Sequence, residues 1–401
     1  MTNVVVIGAG QAAASLVARL RSKGFEGGIT LFGEEAVPPY QRPPLSKGYL
    51  LGDMALERMF LRPEAWYAEN NVTLKLGARV ETIDRAAKVV HVGDEALPYD
   101  HLALCTGSDP RRLPASIGGD LDGVLVVRTL ADADAMEPLC QEGKRVLIVG
   151  GGYIGLEAAA VASKLGLNVT LVEAAERILQ RVASPATSDY FRALHQSHGV
   201  DLREGCGLVK LAGEGHVSGA ELTDGSTLDV DFVIVGVGIA PASGVAETAG
   251  LDIDNGIKVD AQGRTSDPAI WAAGDCASFP GADGQMRLES VGNAIDMGEL
   301  VADNIMGVDR SYVVKPWFWS DQYDVKLQIA GLNTGFDRVV VRDTGSARSH
   351  WYYAGETLLA LDAMNDGRAY MVGKRLIEAG KSPASEAVEN PETELKALLK
   401  A

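Results

Sequence analysis

Cysteine is scarce in this chain: four residues among 401, Cys105, Cys140, Cys206 and Cys276, lie far apart and form no C-x-x-C or C-x-x-x-x-C pair. Such spacing argues against both a disulfide framework and a redox dithiol. Cations are outnumbered as well, 37 Lys and Arg against 54 Asp and Glu, and a net charge of −17 argues against nucleic acid as a partner, because phosphate binding needs a cationic surface. No apolar run reaches the roughly 18 residues of a membrane span. The start, Met1-Thr2-Asn3, enters a strand at once without a cationic leader, so the expectation is a cytoplasmic protein with no membrane partner. The six histidines show no metal-ligand spacing; His195 and His198, three residues apart on a polar helix, read as surface residues.

Glycine, by contrast, is plentiful, and two groups of it stand where a strand turns into a helix. Gly8-Ala9-Gly10-Gln11-Ala12-Ala13 follows Val4-Val5-Val6-Ile7, and Gly150-Gly151-Gly152-Tyr153-Ile154-Gly155 follows Val146-Leu147-Ile148-Val149. In such a unit the first glycine makes the tight turn, the second admits a pyrophosphate close to the backbone, and the third lets helix and strand pack. The pyrophosphate then rests on the helix N-terminus. Each helix is followed by a strand ending in an acid able to accept from a ribose, Glu173 in the second unit and Glu34 or Glu35 in the first, where Gly33 occupies the position matching Glu173. Ala13 replaces the third glycine of the first unit. Two dinucleotides on one polypeptide are therefore expected.

The rest of the chain is ordered around these units. A proline-rich loop, residues 37–47, follows the first; Leu102-Ala103-Leu104-Cys105 ends at Thr106-Gly107; and Ile270-Trp271-Ala272-Ala273-Gly274-Asp275 delivers one carboxylate from the end of an apolar strand. From about Lys315 the pattern alternates with period two and predicts an antiparallel sheet, with helices expected near residues 374–379 and 391–400.

Taken together, GxGxxA, RPPLSK at 42–47, GGGYIGLEAAA at 150–160, VGIAP, IWAAGDC, RLESVGNA at 287–294 and PWFWSDQYD at 316–324 resemble the two-dinucleotide flavoproteins that include glutathione reductase. Among them the resemblance is to the FAD-dependent ferredoxin reductases that serve cytochrome P450 and aromatic-ring dioxygenase systems. It implies an α/β fold with two Rossmann-like domains, an FAD domain at 1–112 and 242–314 and an NADH domain at 113–241, followed by a C-terminal α+β domain at 315–401 with an antiparallel sheet. It implies FAD contacts at Gly8, Gly10, Ala12, Ala13, Glu34, Arg42, Pro44, Lys47, Val80, Thr106, Gly107, Arg128, Gly274, Asp275, Val291 and Trp319. NADH falls to Gly150, Gly152, Tyr153, Ile154, Gly155, Glu157, Glu173 and Gly238. Lys47, Glu157 and Trp319 are the candidates for the reacting centre: a cation beside the flavin, a carboxylate meeting the nicotinamide amide, and an aromatic wall or, equally, a packing residue.

The implied reaction carries a hydride from NADH to FAD and single electrons onward to a small 2Fe-2S ferredoxin. Glu173 should prefer NADH over NADPH by repelling a 2′-phosphate, with Arg177 nearby weighing the other way. Candidate docking cations are Arg310, Lys315, Arg338, Arg342, Arg368, Lys374, Arg375 and Lys381, interleaved with acids. Rival readings within the fold are a redox-sensing binding protein of the apoptosis-inducing-factor type, a rubredoxin reductase, and an NADH oxidase. A disulfide reductase would want a cysteine pair, and a peroxidase or oxidase a cysteine near residue 40, where the nearest is Cys105.

Overall fold

Val4, Val5 and Val6 are at most 1% exposed, because the strand Asn3–Ile7 is the middle of a five-stranded sheet covered on both faces. The sheet runs Ile270–Ala272, His101–Leu104, Asn3–Ile7, Gly28–Gly33, Val72–Leu76, and every pairing is parallel. Parallel strands buried on both faces read as unbroken apolar runs, which is what these sequences are. The crossover helix Gln11–Ser22 packs on the helix Val291–Ile305 at Gly298, where a Cβ would stand 2.4 Å from the Ala12 carbonyl oxygen. Only glycine permits that approach. Arg19 locks the pair with two hydrogen bonds to Asp303, at 2.7 and 3.0 Å.

The computed structural model describes residues 2–282 and 284–400, and the chain clusters into two units. The first comprises Met1–Arg42, Met54–Asp109 and Ile239–Val314; the second comprises Pro43–Asp53, Pro110–Gly238 and Lys315–Ala401. In the second unit a parallel sheet repeats the plan of the first: Asp201–Glu204, Asn168–Glu173, Arg145–Val149, Phe232–Val235, Val124–Leu125. Its crossover helix is Tyr153–Lys164. The alternating C-terminal segments form an antiparallel sheet in the order Trp317–Gln322, Val325–Gly331, Thr357–Met364, Arg348–Ala354, Arg338–Asp343. Val325, Leu327 and Met364 of that sheet share a core cluster with Ile148, Leu156 and Phe191. Fully burying each such side chain contributes about 1.5–3 kcal/mol.

The C-terminal helices differ from expectation. The first is longer, Gly367–Glu378, and begins where Asp366 accepts from the Ala369 N–H at 2.9 Å. In place of one helix over 391–400 there are Ser385–Glu389 and a 3-10 turn, Leu395–Leu399. Pro391 supplies no N–H and pushes Asn390 into the extended region, so the chain cannot run helically through it.

The second unit also encloses a polar knot. Asp362, 1% exposed, accepts from Thr187 Oγ1 at 2.7 Å and from the Tyr352 hydroxyl, and His350 Nδ1 lies 2.7 Å from the same Thr187 oxygen. Burial pushes the Asp362 carboxyl up to about 6. A folded-state value above the unfolded one means that this group stabilises the fold below about pH 4, and that the contribution is lost as pH rises through about 6. Asp362→Asn should therefore gain stability relative to wild type between those limits, by up to about 3 kcal/mol. Urea midpoints of both proteins at the two ends of the range check this.

Candidate functional site

In the first unit the glycine turn is imposed by the fold at its first position and left open at its second. Gly8 has φ +103°, and a Cβ there would sit 2.2 Å from the Cys105 carbonyl oxygen. Above Gly10 nothing lies within 4 Å. The same contrast recurs in the second unit: Gly150 has φ +110° with a Cβ 2.4 Å from Gly236 O, while Gly152 faces open space. At Gly155 a Cβ would stand 2.0 Å from Gly150 O, which is the close packing the third position requires; Ala13 takes that place in the first unit and is fully buried.

The helix ends agree. Of the five described helices of 12 or more residues, three start with a side-chain cap, from Ser184, Ser290 and Asp366; the two that start at Gly10 and Gly152 have none, and no acid in the first turn. Their leading N–H groups and dipoles are left for an anion. An open cradle over an uncapped helix fits a dinucleotide pyrophosphate, once in each unit.

Around the first cradle, Gly274 (φ +84°) brings the end of its strand against the helix, a Cβ there being 3.0 Å from Ala12, and so carries Asp275 in; Ser108 Oγ donates to Asp275 Oδ2 at 3.2 Å. Thr106 Oγ1 donates to Ala242 O at 2.6 Å beside Gly107. Gly33 is there for room, since a Cβ would meet that of Ala9 at 2.7 Å. Glu35 is taken up by Arg42 (2.8 Å) and Tyr40 (2.7 Å), whereas Glu34 is exposed and pairs with Arg79 at 2.9 Å. Val80 is buried at 6% and Val291 is half-buried at the first position of its helix.

Around the second cradle, both oxygens of Glu173 are held by backbone: Oε2 by Gly151 N–H at 2.7 Å and Oε1 by Ala175 N–H at 2.8 Å. Arg177 points to Ser188 Oγ (2.6 Å) and Gln180 O (3.4 Å). Ile154 is exposed, the Tyr153 ring lies 4.9 Å from that of Phe318, and Gly238 (φ +102°) has Arg111 and Arg181 nearby.

The same unit assembles a charged centre. Pro43 and Pro44 shape a 3-10 turn, Pro43–Ser46, after which Lys47 Nζ reaches Glu157 Oε1 at 2.9 Å and Asp321 Oδ2 at 3.7 Å. Glu157 is 7% exposed, and the Ser320 hydroxyl also donates to its Oε1, at 2.7 Å. Burial pushes the Glu157 carboxyl up, against Lys47 and Ser320, which pull it down. Trp319 is half-buried, its ring stacked on Trp317 at 5.6 Å, and Arg128 is half-buried with its N–H on Asp132 at 3.0 Å. His195 is not at the surface: it is fully buried and hydrogen-bonds Gln322 Oε1 at 2.8 Å, while His198 is exposed. Ser320, Gln322 and His195 were missed as site residues; the signal was Ser320 and Gln322 sharing one face of the strand next to Trp319.

Against known proteins, residues 2–298 match the pyridine nucleotide-disulphide oxidoreductase family and residues 317–399 the reductase C-terminal domain. The chain is 42% identical to a ferredoxin–NAD(P)+ reductase from Sphingomonas sp, over 98% of this chain and 97% of that one. It is 39% identical to putidaredoxin reductase of Pseudomonas putida, over 94% and 91%. The solved covalent putidaredoxin reductase–putidaredoxin complex superposes with TM-score 0.96 at 37% identity, covering 100% and 98%. The chain belongs to this flavoprotein reductase family.

In this reductase the cysteines are all free, and Cys105, Cys206 and Cys276 are buried. Burial raises the Cys105 and Cys276 thiols and takes Cys140 to about 11, so these three stay protonated at neutral pH and are poor nucleophiles. Most of the expected docking cations are committed within the protein: Arg310 to Asp303, Arg338 to Gly355 O and the Tyr353 ring, Arg368 to Glu394, Lys374 to Glu378, Lys381 to Leu399 O. Arg342 is corrected outright: it is 5% exposed and donates to the carbonyls of Val388, Asn390, Pro391 and Thr393, fastening the C-terminus rather than a partner. Lys315 and Arg375 are exposed, with no ion pair among the described residues. No described helix is long and apolar enough to cross a membrane.

Proposed function

We propose that this reductase takes a hydride from NADH and delivers electrons singly to a 2Fe-2S ferredoxin that feeds a cytochrome P450 or an aromatic-ring dioxygenase. The observation that carries the reading is the pair of open, uncapped glycine cradles on one chain that has no disulfide among its described residues and whose Cys105, Cys140 and Cys276 thiols burial makes poor nucleophiles, which favours an iron-sulfur acceptor over sulfur. FAD, held at the Gly8–Gly10 turn, supplies the exchange between two-electron and one-electron chemistry. Gly8, Gly10, Ala12 and Ala13 form its pyrophosphate seat, and Asp275 accepts from its hydroxyls. Of the two candidate ribose acids Glu34 is favoured, because it is exposed and meets Arg79 through Oε1, whereas Glu35 is half-buried with both oxygens engaged, by Arg42 and Tyr40. Gly150, Gly152 and Gly155 seat NADH, Lys47 supports negative charge on the flavin, and Glu157 offers Oε2, which has no protein partner among the described residues, to the nicotinamide amide.

Preference for NADH is supported by Glu173, whose carboxylate the Gly151 and Ala175 N–H groups hold beside the second glycine cradle, a negative charge that would repel a 2′-phosphate. Arg177, turned to Ser188 and Gln180, does not offset it. Rapid mixing of the yellow protein with NADH should bleach the flavin, NADPH should do so about 100-fold less efficiently, as ~2.7 kcal/mol of repulsion demands, and a 2Fe-2S ferredoxin should restore the colour. Equal use of both coenzymes would reject the role of Glu173. Recovery that does not slow as salt is raised would reject steering by Lys315 and Arg375.

A further inference from the structure

The Glu157 carboxylate is the end of a hydrogen-bonded chain that runs away from Lys47 into the protein. Ser320 Oγ donates to Glu157 Oε1 at 2.7 Å, Gln322 Nε2 donates to Ser320 Oγ at 3.1 Å, and His195 Nε2 lies 2.8 Å from Gln322 Oε1. Beyond it, the Tyr323 hydroxyl lies 3.3 Å from His195 Nδ1. Ser320, Gln322 and His195 are fully buried, so no water competes for these bonds.

Donor and acceptor chemistry fixes the direction of every link. The Gln322 carbonyl oxygen only accepts, so His195 must carry its proton on Nε2, which leaves Nδ1 to accept from Tyr323. The Gln322 amide nitrogen only donates, so Ser320 Oγ accepts there and its single proton is left for Glu157. All the donors therefore point toward one carboxylate oxygen. An amide has no acidic proton to pass on, so the chain cannot carry protons past Gln322, and what it can do is orient. His195 is held neutral by burial, near 4, which keeps the tautomer the chain requires at all physiological pH. The other charged groups are accounted for: Lys47 and Asp321 face Glu157, and His198, whose ring stacks on Tyr323 at 3.7 Å, faces His195.

We propose that Gln322 and His195 are positioning residues which lock the Ser320 hydroxyl onto Glu157 Oε1, keeping Glu157 ionised, paired with Lys47, and with Oε2 turned to the nicotinamide. Its link to the nicotinamide rests on the reductase reading above; its effect on Glu157 does not. A neutral Glu157 would leave Lys47 without its short partner and would present a donor where the amide needs an acceptor.

The test is infrared titration of the FAD-loaded protein, following the protonated-carboxyl band identified by its absence in Glu157→Gln. In Ser320→Ala the midpoint of that band should move up by about one pH unit, the scale of one hydrogen bond to a charged group. Gln322→Met should move it the same way, and His195→Gln, which retains a nitrogen donor for Gln322 Oε1, should leave it on the wild-type curve. A midpoint unchanged in Ser320→Ala overturns the proposal. A shift in Ser320→Ala with none in Gln322→Met or His195→Leu overturns the roles of Gln322 and His195. Should the Gln322 and His195 variants fail to hold FAD, Ser320→Ala and Ser320→Thr decide, the threonine restoring the wild-type midpoint if the hydroxyl is what matters. The rate of flavin bleaching by NADH, measured across pH on the same samples, should show its acid limb moved to higher pH in step with the band. Wild-type protein that titrates as expected yet does not bleach would reject the reductase reading and leave the positioning role standing.

Discussion

Gly152→Val should give a protein that folds, binds FAD and is yellow, yet no longer bleaches with NADH. The reason lies in the different demands on neighbouring glycines. Gly152 has φ −80° and ψ 179°, a conformation any residue adopts, and its Cβ would meet nothing within 4 Å. Valine there costs the apo fold little, while its two methyl groups fill the space a pyrophosphate must enter, and the Kd for NADH should rise at least ~100-fold, the scale of ~2.7 kcal/mol. Gly150→Ala, chemically the smaller change, should do the opposite damage. At φ +110° and with a Cβ 2.4 Å from Gly236 O, it forces backbone to move and costs several kcal/mol, about the sum of a left-handed strain and an overpacked contact. Thermal melts separate the two variants, and titration with NADH followed by calorimetry completes the comparison. Equal melting losses in both would mean that the second glycine is structural and the cradle reading wrong.

The contrast also shows where sequence is informative. The two parallel sheets were legible because strands buried on both faces leave unbroken apolar runs, and the glycine turns because φ near +100° admits almost nothing else at Gly8 and Gly150. The C-terminal sheet was legible through its period-two alternation. His195 was not, because its neighbours Arg192, Gln196 and Ser197 make the helix Pro185–Ser197 look solvated, and only the four-residue spacing of Thr187, Phe191 and His195 marks the inward stripe. Arg342 misled for a related reason: a cation in an alternating strand reads as exposed, and nothing local reveals that four carbonyls from residues 388–393 converge on it. Lys47 and Glu157 were each found by motif. That a salt bridge joins them, and that Ser320 caps the same oxygen, depends on strands and turns separated by more than 100 residues in sequence.

Lys47→Met should be the most damaging substitution at that centre, and more damaging than Glu157→Gln. Removing the lysine strands a carboxylate that is 7% exposed, with the Ser320 hydroxyl as its only remaining donor among the described residues and with Asp321 adding a like charge nearby. A buried pair broken from one side costs about 3–5 kcal/mol, and here Glu157 escapes part of that by taking up a proton, since burial already raises it. The cost should therefore grow with pH, because the proton becomes harder to retain. Glu157→Gln leaves a neutral side chain of the same shape, and Lys47 keeps Asp321 at 3.7 Å. The double variant, which has neither buried charge, should be more stable than Lys47→Met alone. Reactivity should not follow stability. On the proposed role of Lys47 in supporting charge on the flavin, the hydride step should fall about 100- to 1,000-fold in both the single and the double variant, on the scale of losing one preorganised electrostatic partner. Urea titrations at pH 6 and pH 8, set beside single-turnover bleaching by NADH, measure both quantities on the same proteins. A double variant as unstable as the single would show that Lys47 acts through packing, and bleaching unaffected by Lys47→Met would remove it from the reacting centre.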